Sequence, residues 1–581
     1  LYHGLGTGKT CSAISICEEM RRYMKEINST KKIIVVASPN VQDNFKLQLF
    51  DDRKLKKINN EWVLSGCTGN SLIKEINPTN MEGLTKKQII KLVNKNIRQY
   101  YSFMGYEQFS NYITKIKDGI KKTSNEEVNY KRISKHIKRI FSDRLIVIDE
   151  VQNIRSGGYS INKKLENNFL DIVRLSKNLK LLFLSATPMF NSYKEIIWLI
   201  NLMNLNDKRP QIKTNDIFDK YGNFKEEGKE IFIRKTRGYI SFVRGENPYS
   251  FPYRIYPSLF NKRYSIYQDD FNYPTTQVNN ISIKKPMEMI DIYLSNINSY
   301  QRKIYELSLE KIKESIDDIK EDEERGLGWQ KVDKPLQTLN IVYPNTIIDK
   351  HIRNNNYDKI DVDEVIGSNG LKNIMNFNSK KQDFEYKKDV LDNYGRFFQK
   401  DILKKYSHKI SSIIENIQNS KGVVLIYSQY IDGGCIPLAL ALEEIGITRY
   451  GASSSLFKTK PVSNVDYQTL KNKEETLKIK DTFKPAKYIM ITGDNKISTK
   501  NALEVKAASS DNNINGEEVK VVIISQAGSE GIDFKFIRQV HILEPWYNMS
   551  RIEQIIGRGV RFCSHKLLPF VERNVEIYLY A

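Results

Sequence analysis

Long apolar runs are missing from this chain. No stretch of 18 or more apolar residues occurs among its 581 residues, and a bilayer-crossing helix needs about that many. No transmembrane helix is therefore expected. Cysteine is scarce. The five, Cys11, Cys17, Cys67, Cys435 and Cys563, are scattered, and none forms a Cys-x-x-Cys pair. That pattern predicts neither a zinc site nor a disulfide framework, and it fits a reducing compartment. No signal peptide is visible. The first residue is Leu1, not Met, so the chain reads as starting inside a larger protein. No internal repeat is seen. Acidic residues are outnumbered, 69 Asp and Glu against 91 Lys and Arg, for a formal charge of +22. Such an excess is the footprint of a polyanion partner. The chain is equally crowded with Lys, Asn, Ile and Tyr, the residues AT-rich coding favours. Composition alone therefore leaves nucleic-acid binding open.

What is present is organised. The length is too great for one core, and about three to five domains or lobes is the prior. The first third alternates helical patterns with short apolar runs. Cys11 to Met24 has helical spacing. Ile33 to Ala37 reads as a buried strand ending in Ser38-Pro39-Asn40, Leu145 to Ile148 as one ending in Asp149-Glu150, and Leu181 to Leu184 as one ending in Ser185-Ala186-Thr187-Pro188. Short β-rich runs between helices predict a parallel sheet covered on both faces. Such sheets bind ligands at the carboxyl ends of their strands, where these polar clusters fall. The segment from Lys86 to Arg139 is basic and carries Tyr100, Tyr101, Phe103, Tyr106, Phe109 and Tyr112. Aromatics among lysines can stack bases, but half-buried helix faces with solvated lysines are the favoured reading. Residues 255–400 are less regular, with a charge run from Asp317 to Arg325. A second α/β unit begins at Gly422 to Tyr427 and continues through Val519 to Ser525 and Gln539 to Leu543. Ser453 to Lys484 and Ser509 to Glu518 read as polar, partly disordered insertions in it.

Three clusters carry chemistry. Gly4-Leu5-Gly6-Thr7-Gly8-Lys9-Thr10 is a phosphate-binding loop of the Walker A kind. Its glycines let backbone N–H groups close around phosphate oxygens, and the following helix adds its N-terminal partial charge. In this role Gly4, Gly6, Thr7, Gly8, Lys9 and Thr10 bind nucleotide, Lys9 reaching the β- and γ-phosphates and Thr10 holding Mg²⁺. His3 stands where the strict pattern has glycine, and no strand is visible ahead of the loop. Asp149-Glu150 after a buried strand is a Walker B arrangement. Asp149 is the second Mg²⁺ candidate, and Glu150 is the group that orients and deprotonates water. An acidic pair capping a helix is the plainer alternative. The third cluster runs from Gln554 to Arg561. If it is helical, Arg558 and Arg561 share a face and offer planar, fixed charge to a phosphate.

With these motifs in order, the chain resembles superfamily 2 helicase-type ATPases over nearly its whole length. Gly4 to Thr10 matches motif I, Ser38 to Asn40 resembles motif Ia, and Phe103 to Tyr106 resembles the Ib region. Asp149 to Gln152 matches motif II, Ser185 to Pro188 motif III, Ile426 to Gln429 motif IV, Ser529 to Asp533 motif V and Gln554 to Arg561 motif VI. Gln152 and Gln554 stand where DEAD-box RNA helicases have Asp and His, so the pattern is closer to the Snf2-like group. Ser185 to Asn191, Asn340 to Pro344, Glu544 to Asn548 and Gly557 to Leu568 further resemble the helicase-like ATPases of large DNA viruses, among them the poxvirus early transcription factor small subunit and nucleoside triphosphatase I.

The resemblance implies an α/β fold of two RecA-like parallel-sheet lobes. The expected boundaries are 1–254 for the first lobe, with its N-terminal strand missing, 255–400 for an irregular, partly helical insertion, and 401–581 for the second lobe. ATP and Mg²⁺ are the implied cofactors. Lys9, Glu150, Gln554, Arg558 and Arg561 would serve hydrolysis, with the arginines facing nucleotide across the cleft. Ser185, Thr187, Gly531 and Asp533 would couple it to movement, and Ser38, Asn40, Ser428 and Ser529 would lie near nucleic acid. The implied partners are duplex DNA and a viral RNA polymerase or transcription-factor subunit, with no membrane. The implied place is the virion and the host cytoplasm. An RNA helicase and a non-catalytic scaffold stay open as alternatives.

Overall fold

Every strand that the sequence marks as an apolar run is laid down parallel to its neighbours. The structure, a computed structural model, describes residues 1–581 except 5, 60, 79–82, 121–122, 155–159, 190–191, 221, 244–246, 248, 269–272, 277–281, 284–288, 318–328, 355, 357–359, 452–454, 493, 495–497, 499–500, 527–531 and 547. The chain divides into two compact units, Leu1–Gly245 and Glu246–Ala581.

The parallel strands of the first unit are β1 (Tyr2–His3), β2 (Ile33–Val36), β3 (Tyr101–Met104), β4 (Leu145–Asp149), β5 (Lys180–Leu184) and β6 (Phe242–Val243). Four of them form a parallel sheet in the order β3-β2-β4-β5. Strands β2 and β4 are buried along their whole length, as central strands covered on both faces must be. Alternation sends successive side chains to opposite cores. Ile34, Ile146 and Ile148 meet Phe109, Phe141 and Phe169 on one side. Ile33, Val35 and Val147 meet Ala13, Ile14 and Cys17 of α1 (Lys9–Glu26) on the other.

Several expectations change here. A strand does precede the phosphate loop. Tyr2–His3 pairs in parallel with β6, and Tyr2 also bridges to Ser185. Two residues are too few to show a period, and their partner strand is distant in sequence. Cys11 and Cys67 are joined by a disulfide with their Cα atoms 5.3 Å apart. The fold brings the loop at Cys67 against the first turn of α1, across a separation no spacing rule marks. The Lys86–Arg139 aromatics sit on helix faces and a strand, with Tyr100, Tyr101 and Phe109 buried.

The second unit is built on seven parallel strands: β7 (Tyr253–Ile255), β8 (Val423–Tyr427), β9 (Thr448–Arg449), β10 (Lys487–Ile491), β11 (Val521–Ile524), β12 (Ile537–Ile542) and β13 (Asn574–Leu579). Their order is β9-β10-β11-β8-β12-β13-β7. The α/β class with two parallel-sheet lobes is thus the fold. Residues 255–400 pack within the second unit. β7 begins as an edge strand of this sheet, and Ile341, Val342, Tyr343, Phe397 and Phe398 share one core with Val424 and Ile426 of β8. Most of the Asp317–Arg325 charge run lies outside the described residues. The two polar stretches expected to be partly disordered are organised by single buried side chains. Asp466 accepts from the backbone N–H groups of Gln468, Thr469 and Lys484 and pairs with Lys480. Asn513 accepts from Glu518 N and Val519 N and donates to Ala508 O and Val519 O. Each satisfies several backbone groups that a polar loop otherwise leaves to water.

A buried polar hub sits beyond the carboxyl ends of β8 and β12. Glu544, 2% exposed, accepts from Ser428 Oγ at 2.6 Å, from Gln429 N at 3.0 Å, and from Asn340 Nδ2. Burial raises its pKa, and these bonds and Lys409 oppose the rise. Lys409, on α2 (His408–Gln418), is wholly buried and donates to Leu543 O at 2.8 Å. Burial pushes its pKa down to about 8. Gly434, in a π-helical turn at Ile431–Cys435, packs directly on Ser428. A methyl at Gly434 would overlap Ser428 Oγ, and overpacking of this kind costs about 1–3 kcal/mol. Gly434→Ala is therefore expected to lower the unfolding free energy of the full chain by that amount, measured by denaturant titration. Unchanged stability would show that the hub relaxes freely.

Candidate active site

The phosphate loop is shaped by backbone conformation. Gly6 and Gly8 have φ of +73° and +86°. Nothing lies within 4 Å of where a Cβ on Gly8 would sit, so the left-handed conformation, not space, demands glycine there. Thr7 Oγ1 donates to Gly4 O at 2.7 Å, and Gly4 N donates to Val243 O of β6 at 3.1 Å. Gly8 is the N-cap of α1, and no side chain caps that end. Its first N–H groups are the kind that hold an anion. Lys9 and Thr10 occupy the first turn. Burial, aided by nearby positive charge, lowers the pKa of His3, the unexpected residue ahead of the loop on β1.

The other end of α1 is fixed by a buried charge cluster. Arg21, 2% exposed, is held by Glu18 at 2.8 Å and Glu75 at 2.7 Å, and Tyr101 of β3 donates to Glu18 at 2.6 Å. The helix that carries Lys9 is therefore locked to the sheet.

At the end of β4 the predicted residues come together. Lys9 Nζ lies 3.1 Å from Glu150 Oε1. Gln152 Nε2 donates to Glu150 Oε2 at 2.7 Å and approaches Thr187 Oγ1 at 3.5 Å. Ser185 Oγ donates to Gln152 Oε1 at 2.7 Å and accepts from Thr187 N at 2.9 Å. Asp149 is buried, and its Oδ1 accepts from Glu150 N at 3.0 Å. Gln152 is the residue that sequence reasoning missed. It served there only to separate subfamilies, although its place two residues after Glu150 was the signal. It joins the Walker B pair to Ser185 and Thr187 in one chain of hydrogen bonds.

The second unit holds the arginines differently from expectation. Helix α4 (Met549–Gly559), after α3 (Ile436–Glu444), carries Gln554 and Arg558, but it ends before Arg561. Gly559 rests on Ile537, with no room for a Cβ, and the chain then turns. The two arginines do not share a helix face. They converge on Asp533, Arg561 at 2.6 Å and Arg558 at 3.9 Å. His565 supports that turn, with Nδ1 at Ser564 Oγ and Nε2 at Ile537 O. Burial pushes its pKa down to about 4.

The nucleic-acid candidates separate. Ser38 stands just past the end of β2, half-buried, and its Oγ makes no hydrogen bond. Asn40 lies in the helix Pro39–Leu49, and its side chain is outside the described residues. Ser529 and Gly531 also lie outside them. Ser428 is corrected: it is 1% exposed and committed to Glu544, so it is a framework residue and not a surface contact. Among the described residues, no helix is long and apolar enough to cross a membrane.

Several known proteins resemble this chain. Residues 408–563 match the helicase conserved C-terminal domain. Over its whole length the chain is 25% identical to an Acanthamoeba polyphaga mimivirus protein named as an ATP-dependent RNA helicase, spanning 50% of that protein. It is 24% identical to a second mimivirus protein so named, spanning 78% of it. Over 30% of the chain it is 34% identical to the termination factor NPH-I homolog of African swine fever virus, covering 26% of that protein. Among solved structures, the Sulfolobus solfataricus SWI2/SNF2 ATPase core in complex with dsDNA shows 12% identity and a TM-score of 0.25, covering 100% of this chain and 82% of that one. The Pyrococcus furiosus Hef helicase domain shows 14% identity and a TM-score of 0.34, covering 100% and 91%. The second unit thus carries a helicase C-terminal domain, and over its whole length the chain is similar to viral proteins named as helicases.

Proposed function

We propose that this protein hydrolyses ATP and uses the hydrolysis to move along duplex DNA in viral transcription, at initiation or termination. The observation that carries the proposal is the convergence of Lys9, Glu150, Gln152, Ser185 and Thr187 on one hydrogen-bonded site beside a phosphate loop. A scaffold has no physical need for that assembly. The Thr10 hydroxyl and the Asp149 carboxylate are hard oxygen ligands that suit Mg²⁺, and they are the residues that would hold it. Bound there, Mg²⁺ supplies neutralising charge at the β- and γ-phosphate oxygens. Lys9 adds a point charge to the same phosphates. Glu150 orients the attacking water and accepts its proton. Arg558 and Arg561 bring planar donors to the charge that develops in transfer, with Asp533 holding them ready. Gln554 belongs to the same helix.

Duplex DNA is favoured because Gln152 and Gln554 depart from the RNA-helicase pattern and because the chain resembles an NPH-I termination factor homolog. A viral RNA polymerase is the protein partner this role implies, and the infected cell is the place. The RNA-helicase reading is the second one, supported by the names of the mimivirus relatives.

Lys9→Ala is expected to weaken ATP binding and abolish turnover, while Glu150→Gln binds ATP and holds it. Loss of an essential general base costs ~10²-fold or more in rate. Near-normal turnover in Glu150→Gln, measured as phosphate release, would remove Glu150 from its role. Arg558→Ala and Arg561→Ala are each expected to keep nucleotide binding but lose hydrolysis, by ~10³-fold if they act as arginine fingers do. Lysine should rescue poorly, because it lacks the planar fork. A folded Ala variant with normal hydrolysis clears that arginine of the role.

The substrate is decided by parallel ATPase assays with duplex DNA, single-stranded DNA and RNA. Stimulation by duplex DNA should fall steeply with salt as counterions are released. Displacement of a triplex strand with little unwinding of a forked duplex is the expected result. Forked-duplex unwinding without triplex displacement decides for a strand-separating helicase, and stimulation by RNA alone overturns both DNA readings.

A further inference from the structure

We propose that Tyr106 is a positioning residue for Glu150. Its hydroxyl holds the peptide that joins Asp149 to Glu150, and so holds the backbone conformation that aims the Glu150 carboxylate. The inference rests on the ATP-hydrolysis reading above.

The starting observation is strain. Glu150 has φ of +45°, a left-handed conformation that L-residues other than glycine, asparagine and aspartate seldom adopt. Strain of this kind persists only where surrounding contacts over-determine it. Two of those contacts are local: Glu150 N donates to Asp149 Oδ1, and Asn153 N donates to Glu150 O at 2.9 Å. A third comes from another element. Tyr106 donates its hydroxyl hydrogen to Asp149 O at 2.6 Å.

Tyr106 is well placed to act as a fixed post. It opens the helix Tyr106–Asp118, which follows β3 directly. That helix is pinned one turn on by Phe109, which is fully buried among Ile34, Val36 and Ile148 and edge-on to Phe169. The Tyr106 ring packs against the same core. Asn153 Nδ2 approaches the phenol oxygen at 3.5 Å, leaving the single O–H donor for the carbonyl. The peptide ahead of Glu150 is thus tied to the helix after β3. If the tie is cut, the peptide is free to rotate, and the carboxylate leaves the line of attack while Lys9, Thr10 and the phosphate loop stay put.

The variant that isolates the hydroxyl is Tyr106→Phe, which keeps the ring. Misplacing a reacting group by about 1 Å costs up to ~10²-fold, and a drop in kcat of about tenfold is expected for this partial release. KM for ATP and the affinity for a fluorescent ADP analogue should stay within about twofold, the mark of an interaction that serves the chemical step. Tyr106→Leu separates the hydroxyl from the ring. The proposal expects Leu and Phe to lower kcat equally, whereas a packing role leaves Phe normal and impairs Leu. In a Glu150→Gln background, Tyr106→Phe should cost nothing further, because it acts through Glu150. Normal kcat in Tyr106→Phe overturns the proposal. So does a fall in kcat matched by lost ADP binding, or a full additional loss in the Glu150→Gln background. If the wild-type protein does not hydrolyse ATP with any nucleic acid, the ATPase reading fails and this inference falls with it. If the wild type hydrolyses and Tyr106→Phe is unchanged, this inference alone fails.

Discussion

A polar side chain buried at the carboxyl end of a parallel strand has to be partnered, and both units of this protein are organised around that constraint. An unsatisfied buried donor or acceptor costs about 1–3 kcal/mol, against a net folding stability of about 5–15 kcal/mol for a domain. In the first unit Gln152, 3% exposed, meets the demand by bonding to Glu150 and Ser185. In the second, Glu544 meets it by accepting from Ser428, Gln429 and Asn340. In each case the residues that bear the chemistry, or stand next to it, are also those whose bonds keep the strand ends from being left bare. Removing one therefore disturbs folding and function together, and only substitutions that preserve shape separate the two.

Strands β2, β4, β5, β8, β11 and β12 were legible in the sequence because their signal is local. Ile33 to Val36, Leu145 to Ile148 and Val423 to Tyr427 are continuous apolar runs, and a run that short and that apolar has few places to go except the centre of a covered sheet. The phosphate loop was legible for a related reason: glycine at a position that needs positive φ is a local requirement. What was not legible depends on contacts distant along the chain. Residues 255–400 show no clean period, because they meet β8 through scattered side chains such as Val342 and Phe397 and not through one amphipathic face. The stretch around Asp466 looks like a disordered insertion by composition. One buried carboxylate converts it to ordered structure, and nothing in a polar sequence announces which aspartate will be buried. Arg561 was misplaced because a three-residue spacing says nothing about where a helix stops, and Gly559 against Ile537 stops it.

The same constraint gives physical content to the resemblance. Asn340 to Pro344, Ile426 to Gln429 and Glu544 to Asn548 lie far apart in sequence, yet Asn340, Ser428 and Glu544 meet in one hydrogen-bonded cluster. Gly557 to Leu568 contributes Ser564 and His565, which brace the turn after α4. The first three stretches thus share one interior cluster, and the fourth braces the turn that follows α4. That is why Ser428, a plausible surface hydroxyl by its motif, proves to be an interior one.

Each unit has an ion pair among its proposed site residues, and both pairs are suited to exchange. Arg561 pairs with Asp533 at 19% and 48% side-chain exposure, and a pair so open to water is worth about 0–1 kcal/mol. Asp533 orients the guanidinium without binding it tightly. Lys9 and Glu150 are less exposed, at 12% and 25%, and their attraction is correspondingly less screened. Under the proposed hydrolysis, a triphosphate would set several negative charges against the single charge of Glu150, so Lys9 would change partner in the favourable direction. What Glu150 loses is then only the cation. Gln152 Nε2 keeps its bond to the other carboxylate oxygen, and the Asp149–Glu150 peptide keeps its tie to Tyr106. On the proposed reading, the carboxylate would be released to accept a proton while its direction stays fixed. A general base needs both at the same moment, and bonds to two different oxygens and to the backbone allow one to change without the other.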